Sequence, residues 1–215
     1  MNGILKKGDS VRRFEDERLL RGQGQFVDNR DLQGQVFLHF LRSIYGHARI
    51  RGIQTEEARV MPGVIGIFTG EDLIRDGVQP VPVTMPFIRE DGSAAASAPY
   101  YPLATDAARF MGQAVAMVVA ETPQQALEAA ECIEVDYEEL PVLTSMKEAA
   151  EPGAPKLWEE ISDNIAAAKS LGDEQAVDEC FKKAKHVSRL ELVNPRLVGN
   201  PIEPRTSICE YEPNT

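Results

Sequence analysis

The side chains in these 215 residues that could do chemistry are three histidines, three cysteines, several paired carboxylates and two glycine- or proline-rich stretches. His39, His47 and His186 have no companions at i±2, i±3 or i±4 that would complete a metal-ligand set. His39 falls inside a strand-like run and reads as a core or half-buried residue. His47 follows Gly46 and reads as a turn residue. Cys132, Cys180 and Cys209 are widely spaced, and their odd number does not suggest a disulfide framework. They read as small core hydrophobes rather than nucleophiles. Gly22-Gln23-Gly24 lacks the preceding strand, third glycine and following helix of a phosphate loop, so it reads as a turn. A Ser/His/Asp triad stays open, because its members need not be close in sequence, but no G-x-S-x-G elbow is present. The pairs Glu56-Glu57, Glu138-Glu139 and Glu159-Glu160, and the run Glu15-Asp16-Glu17, place neighbouring carboxylates on different sides of an element. Solvated faces explain them better than acid–base pairs. The stretch Asn194–Arg205 holds three prolines and one glycine, which impose a stiff, non-helical path. Glu203 and Arg205 flank Pro204 there. Such a loop is either a site-bearing segment or a surface turn with an ion pair. No residue is assigned a catalytic, cofactor-binding or metal-binding role.

The elements that would position these residues follow from pattern. Val36–Arg42 and Val64–Phe68 read as strands, with Ile50–Ile53 able to pair nearby. Met61-Pro62-Gly63 is a turn signal between them. Thr55–Arg59 reads as a helical turn. Thr69 with Asp72 predicts a capping box opening a short helix. Ala114–Ala120 predicts a buried strand. Thr122-Pro123-Gln124-Gln125 predicts a capped helix whose apolar face is Ala126, Leu127, Ala129, Ala130 and Ile133. Glu134–Tyr137 predicts a strand with Val135 and Tyr137 on one face. If the strands 114–120 and 132–137 share a sheet, they form a parallel, right-handed β-α-β crossover. Gly77–Tyr100 reads as a long excursion that either covers a partner or moves. Asp173–Lys185 predicts an amphipathic helix with Ala176, Val177, Cys180, Phe181 and Ala184 on one face. His186–Val193 and Thr206–Tyr211 predict two further strands. Residues 1–25 read as an extended arm.

The formal net charge of −11 argues against nucleic acid or an anionic membrane surface as partner. Residues 1–53 carry ten Lys+Arg against six Asp+Glu, and the rest thirteen against twenty-eight. The simplest reading is a basic segment lying on the acidic remainder of its own chain; a partner-subunit surface is the alternative. The N-terminus has no apolar h-region, and the longest apolar run is too short to span a bilayer. The expected location is the cytoplasm.

A series of short motifs in order carries a resemblance. It runs Gly22-Gln-Gly-Gln-Phe26-Val27-Asp28, Leu41-Arg42-Ser43, Gly46-His47-Ala48-Arg49-Ile50, Met61-Pro62-Gly63-Val64 and Phe68-Thr69-Gly70-Glu71-Asp72-Leu73. It continues through Arg109-Phe110-Met111-Gly112-Gln113, Val119-Ala120-Glu121-Thr122 and Val135-Asp136-Tyr137-Glu138-Glu139-Leu140-Pro141. This series resembles the α/β hammerhead domain of the molybdenum-binding subunit in the xanthine dehydrogenase, aldehyde oxidase and carbon-monoxide dehydrogenase superfamily. Asn164-Ile165, Gly172-Asp173 and Pro201-Ile-Glu-Pro-Arg205 resemble the connector and the start of the next domain.

The resemblance implies an α/β (α+β) fold: a hammerhead-type mixed sheet with flanking helices, then an incomplete second α/β domain. The implied division is an arm at 1–19, the hammerhead domain at 20–145, a connector at 146–171 and the truncated start of a molybdopterin-binding domain at 172–215. It implies oxidative hydroxylation or dehydrogenation of a small molecule at a molybdenum–pterin (molybdopterin) centre, in a plain or cytosine-dinucleotide form. The implied partners are the C-terminal catalytic part of the large subunit, an iron–sulfur subunit and an FAD subunit. The family's general-base glutamate lies downstream and is not carried over. Where the family pattern has Asn-Gln-Arg, this chain has Asn194-Pro195-Arg196. The expectation is a chain that contributes fold and interfaces, holds no cofactor alone, and leaves residues 186–212 weakly anchored. The alternative is a non-enzymatic assembly module that reuses the hammerhead domain.

Overall fold

The computed structural model describes residues 13–82, 88–89, 91–168, 170–195, 197–201, 203 and 205–212. Residues 1–12 of the arm, Pro86, Arg196, Ile202, Pro204 and residues 213–215 lie outside the described residues. The chain divides into two compact units, one of residues 35–187 and one of residues 1–34 with 188–215.

The larger unit is built on two three-stranded antiparallel sheets. Its strands are β1 (Phe37–Arg42), β2 (Ala48–Gln54), β3 (Val64–Thr69), β4 (Ala107–Ala108), β5 (Ala114–Ala120) and β6 (Glu134–Glu139). The first sheet has the order β1-β5-β3 and the second β4-β2-β6. The helix Pro123–Glu131 joins β5 to β6, but these strands lie in different sheets, so the parallel crossover expected from sequence does not form. β5 instead finds antiparallel partners on both sides, β1 and β3, while β6 pairs with β2.

Among the described residues three α-helices precede this one, Asp16–Leu20 (α1), Glu56–Arg59 (α2) and Gly70–Arg75 (α3), with a 3-10 turn at Val27–Asn29; Pro123–Glu131 is therefore α4. α4 begins where Thr122 Oγ1 accepts the Gln125 N–H at 3.2 Å, and Pro123 fills the first position. The Gln125 side-chain Oε1 accepts the Thr122 hydroxyl at 2.9 Å rather than reaching back to the cap backbone. Ala126, Ala129 and Ala130 are buried. Their small side chains let α4 lie close on β1 and β5, over a core of Ala116, Val118, Ala120, Ile67 and Ile133. Ile53 and Val135 of the second sheet pack on the same cluster, which joins the two sheets.

The expected start of α3 is present. Asp72 accepts the Thr69 N–H at 2.8 Å and the Thr69 hydroxyl at 3.0 Å. Burial alone would push the Asp72 carboxyl up, but these bonds and the Arg75 guanidinium outweigh it and hold the carboxyl below its ordinary value. A depressed folded-state value means the stabilisation is complete above the unfolded-state value of 3.8 and is lost as pH falls through the folded value. Asp72→Asn is therefore expected to cost about 1 kcal/mol at pH 7. Urea denaturation should show that difference shrinking towards zero as pH falls below 3.8 and through the folded-state value.

Beyond β6 come α5 (Met146–Ala149) and α6 (Glu174–Lys183). α6 is the expected amphipathic helix, capped by Asp173 accepting the Ala176 N–H at 2.9 Å, yet it buries no residue. The strands expected at His186–Val193 and Thr206–Tyr211 are not formed among the described residues. Every described residue from 186 to 212 is exposed. The arm is not wholly extended either. α1 forms where Glu15–Arg18 and Glu17–Arg21 pair at i,i+3 and i,i+4 spacing.

Candidate functional site

The shared motifs, far apart in sequence, meet in pairs. Ser43 N–H donates to the Gln113 carbonyl and Gly112 N–H to the Ser43 carbonyl, both at 2.8 Å. Arg42 Nη1 donates to the Gly112 carbonyl at 2.8 Å. The turn 109–112 is closed by the buried Gln113, whose Oε1 accepts the Arg109 N–H at 2.7 Å. Gly112 takes φ +85°, a backbone region that suits glycine.

A second pairing joins Gly46-His47 to Leu140-Pro141. Leu140 N–H donates to the His47 carbonyl at 3.0 Å. His47, 7% exposed, has Nδ1 3.0 Å from the Pro141 carbonyl oxygen. That oxygen can only accept, so Nδ1 carries the proton. A third pairing puts Glu121 N–H on the Gly63 carbonyl at 2.9 Å. A fourth sets Gly70 against the backbone of Ala104 and Thr105. These residues close the domain on itself.

Arg109 ties this frame to the following segment. Its guanidinium holds both oxygens of Asp106, at 2.9 and 2.7 Å, and its Nε donates to the Leu157 carbonyl at 3.1 Å. The same group lies 5.1 Å from the centre of the Trp158 ring. Burial opposes ionisation of Asp106, but the bonds from Arg109 prevail and hold its carboxyl below the ordinary value. Asn164 staples the segment internally. Its Oδ1 accepts the Leu157 N–H at 3.0 Å, and its Nδ2 donates to the Ala149 and Pro155 carbonyls. The 77–100 excursion also has a place. Arg89 pairs with Asp163 and donates to the Ile165 carbonyl at 2.8 Å, while Ala96 N–H reaches the Ala166 carbonyl at 2.8 Å. The described part of the excursion is thus held on the chain's own 163–168. Trp158, Asn164 as a staple, and Arg89 were not singled out by sequence. A lone tryptophan beside Pro155 was the available signal.

A groove of about 510 Å³ runs along this junction, lined by His47, Arg49, Asp106, Arg109, Lys156 and Glu159 among others. Its charges largely neutralise one another: besides the Arg109–Asp106 pair, Arg49 meets Glu159 at 3.3 Å and Glu138 at 3.9 Å. Arg51 also pairs with Glu138. Here the basic early segment does lie on the acidic remainder. Among the described residues no three His, Cys, Asp or Glu side chains converge as a metal set. His39 is half-buried in β1, as expected. All three cysteines are exposed, against expectation. Cys132 caps the end of α4, Cys180 lies on the exposed face of α6, and Cys209 belongs to no strand. Gly22-Gln23-Gly24 forms no phosphate cradle: Gly22 ends the turn after α1 and no helix starts at Gly24. Glu203 and Arg205 are both exposed, and no ion pair joins them among the described residues. No described helix is long and apolar enough to cross a membrane.

Comparison with known proteins matches this arrangement to one family. The family model "aldehyde oxidase and xanthine dehydrogenase, a/b hammerhead domain" covers residues 21–141. The chain is 36% identical over 209 residues to the carbon monoxide dehydrogenase large chain of Afipia carboxidovorans, covering 91% of this chain and 24% of that one. It is 32% identical over 209 residues to the nicotine 6-hydroxylase large subunit of Paenarthrobacter nicotinovorans, covering 95% and 24%. A solved Cu,Mo-CO dehydrogenase in its carbon monoxide reduced state superposes with a TM-score of 0.67 and 34% identity, over 83% of this chain and 23% of that one. The chain thus spans about a quarter of the length of the relatives it matches. With the motif pairings that close the fold falling inside or beside the matched residues, the chain belongs to the aldehyde oxidase and xanthine dehydrogenase a/b hammerhead family.

Proposed function

We propose that this chain supplies the N-terminal portion of the molybdenum-cofactor-binding subunit of a molybdenum hydroxylase or dehydrogenase. The reaction class is oxidative hydroxylation of an aldehyde, an N-heterocycle or a similar small molecule, or oxidation of carbon monoxide. The observation that carries this reading is similarity along nearly the whole chain to subunits about four times as long. The chain's role in this reading is structural. Residues 20–145 form the hammerhead domain, 146–171 a connector pinned by Arg109, Asn164 and Arg89, and 172–215 the start of the cofactor-binding domain, preceded by an arm at 1–19. Partners are the rest of the large subunit and iron–sulfur and FAD subunits, in the cytoplasm. The reading of a reused, non-enzymatic assembly module has no observation in its favour.

The complete enzyme would hold molybdopterin, in a plain or cytosine-dinucleotide form. The described residues do not fit that group. They gather no donor set, and the groove beside Arg109 is occupied by the chain's own ion pairs. The purified 215-residue chain is accordingly expected to carry no stoichiometric molybdenum and to show no dehydrogenase activity. Elemental analysis reads this directly; one molybdenum per chain would overturn the structural role.

A further inference from the structure

The first sheet has a second apolar face that is only partly covered among the described residues of the 35–187 unit. β1 alternates, with Phe37, His39 and Leu41 turned to the core side and Leu38 and Phe40 to the other. The registers align two rows across the strands: Leu38, Val119 and Gly66 in one, Phe40, Met117 and Phe68 in the next. These positions are opposite to Ala116, Val118 and Ile67, which face α4 and the core. Leu38 is 52% exposed and Phe40 38%, while Gly66, Phe68, Met117 and Val119 are half-buried. A Cβ on Gly66 would meet the Phe68 ring at 3.1 Å, so the missing side chain leaves room for that ring beside it. The two rows hold no charge. The nearest cation, Arg42, is engaged with the Gly112 carbonyl and lies 5.8 Å from the centre of the Phe40 ring.

A sheet with two apolar faces needs a layer on each. Strand spacing and rise put the whole platform on the order of 200 Å². A stable, free-standing interface needs about 800 Å² per partner, so the platform is too small to hold a second copy by itself. It suits a covering layer already tethered by other contacts. We propose that this platform is the seat of an apolar layer from the remainder of the molybdenum-binding subunit, the part of its relatives outside the matched quarter. The inference rests on the reading under Proposed function and adds the contact surface.

The test is photo-cross-linking of the tagged full chain in its native host, with Leu38→p-benzoylphenylalanine, followed by peptide mapping. The expected product joins position 38 to a peptide of the rest of the large subunit. In a parallel purification, Leu38→Asp is expected to lower recovery of that polypeptide at least tenfold. Val60→Asp, at an 83% exposed position elsewhere, should leave it unchanged. Co-purification of the rest of the subunit without a cross-link at 38, or with a cross-link to a second copy, an iron–sulfur subunit or a flavin subunit, overturns the platform but leaves the functional reading standing. Equal recovery with Leu38→Asp does the same. Absence of any large-subunit polypeptide from the wild-type purification overturns both.

Discussion

Gly70→Ala is expected to lower the unfolding free energy by about 3 kcal/mol, at the top of the range for overpacking a closed site. Gly70 is buried and opens α3 directly after β3. A Cβ built there falls within 2.8 Å of the Ala104 carbonyl carbon and 2.9 Å of the Thr105 Cα, closer still to the Ala104 carbonyl oxygen. These are backbone atoms, and Ala104 is itself fixed by donating its N–H to the Ala114 carbonyl at 2.8 Å. Neither side can yield without moving β5 or α3. Backbone strain plays no part, since Gly70 is not among the positive-φ glycines. Gly52→Ala is the matched control. Nothing lies within 4 Å of its Cβ position, so its effect should stay within about 0.5 kcal/mol. Equilibrium urea unfolding of the two variants separates a steric joint from a general intolerance of alanine.

Arg109→Ala is expected to free the 155–165 segment while leaving both sheets folded. The loss is not chiefly the ion pair, because Asp106 is exposed and such pairs are worth little. It comes from the Nε bond to Leu157 and the contact with Trp158, together about 2 kcal/mol. The Trp158 Nε1 is already buried without a hydrogen-bond partner, so the indole depends on its packing. Hydrogen exchange should show amides of 155–165 losing protection by one to two orders of magnitude, with β5 unchanged. Arg109→Lys should fail to restore it, because an ammonium cannot bridge both Asp106 oxygens and Leu157 in one plane. Equal loss of protection across β5 would mean that Arg109 holds the whole domain.

Local chemistry made much of this fold legible. β5 stands out as an unbroken apolar run. The α4 start stands out because Thr122 and Pro123 serve different orphan groups at one helix end. Asp72 in the Thr69 box was readable for the same reason. What pairs with what was harder to see. The strands flanking α4 look like a crossover until it is known that β5 is claimed on both edges by β1 and β3. Burial of the cysteines also failed, because an apolar helix face such as that of α6 predicts a core only when something packs on it. The expected strands after residue 186 are not formed among the described residues.

The site was legible in a different way. The family motifs were visible as strings, but their meaning was not, because each is half of a contact. Ser43 needs Gly112 and Gln113, seventy residues on, and His47 needs Pro141. In sequence the motifs carry a resemblance, and in the structure they meet in backbone contacts within the domain.

That scaffold reading is tested most directly by native mass spectrometry of the tagged chain purified from its own host without dissociation. The account predicts one assembly containing this chain, sequence homologous to the remaining three quarters of the large subunit in the same or a second polypeptide, and molybdenum held by the assembly. Recovery of this chain as a stable species free of any such sequence would contradict it.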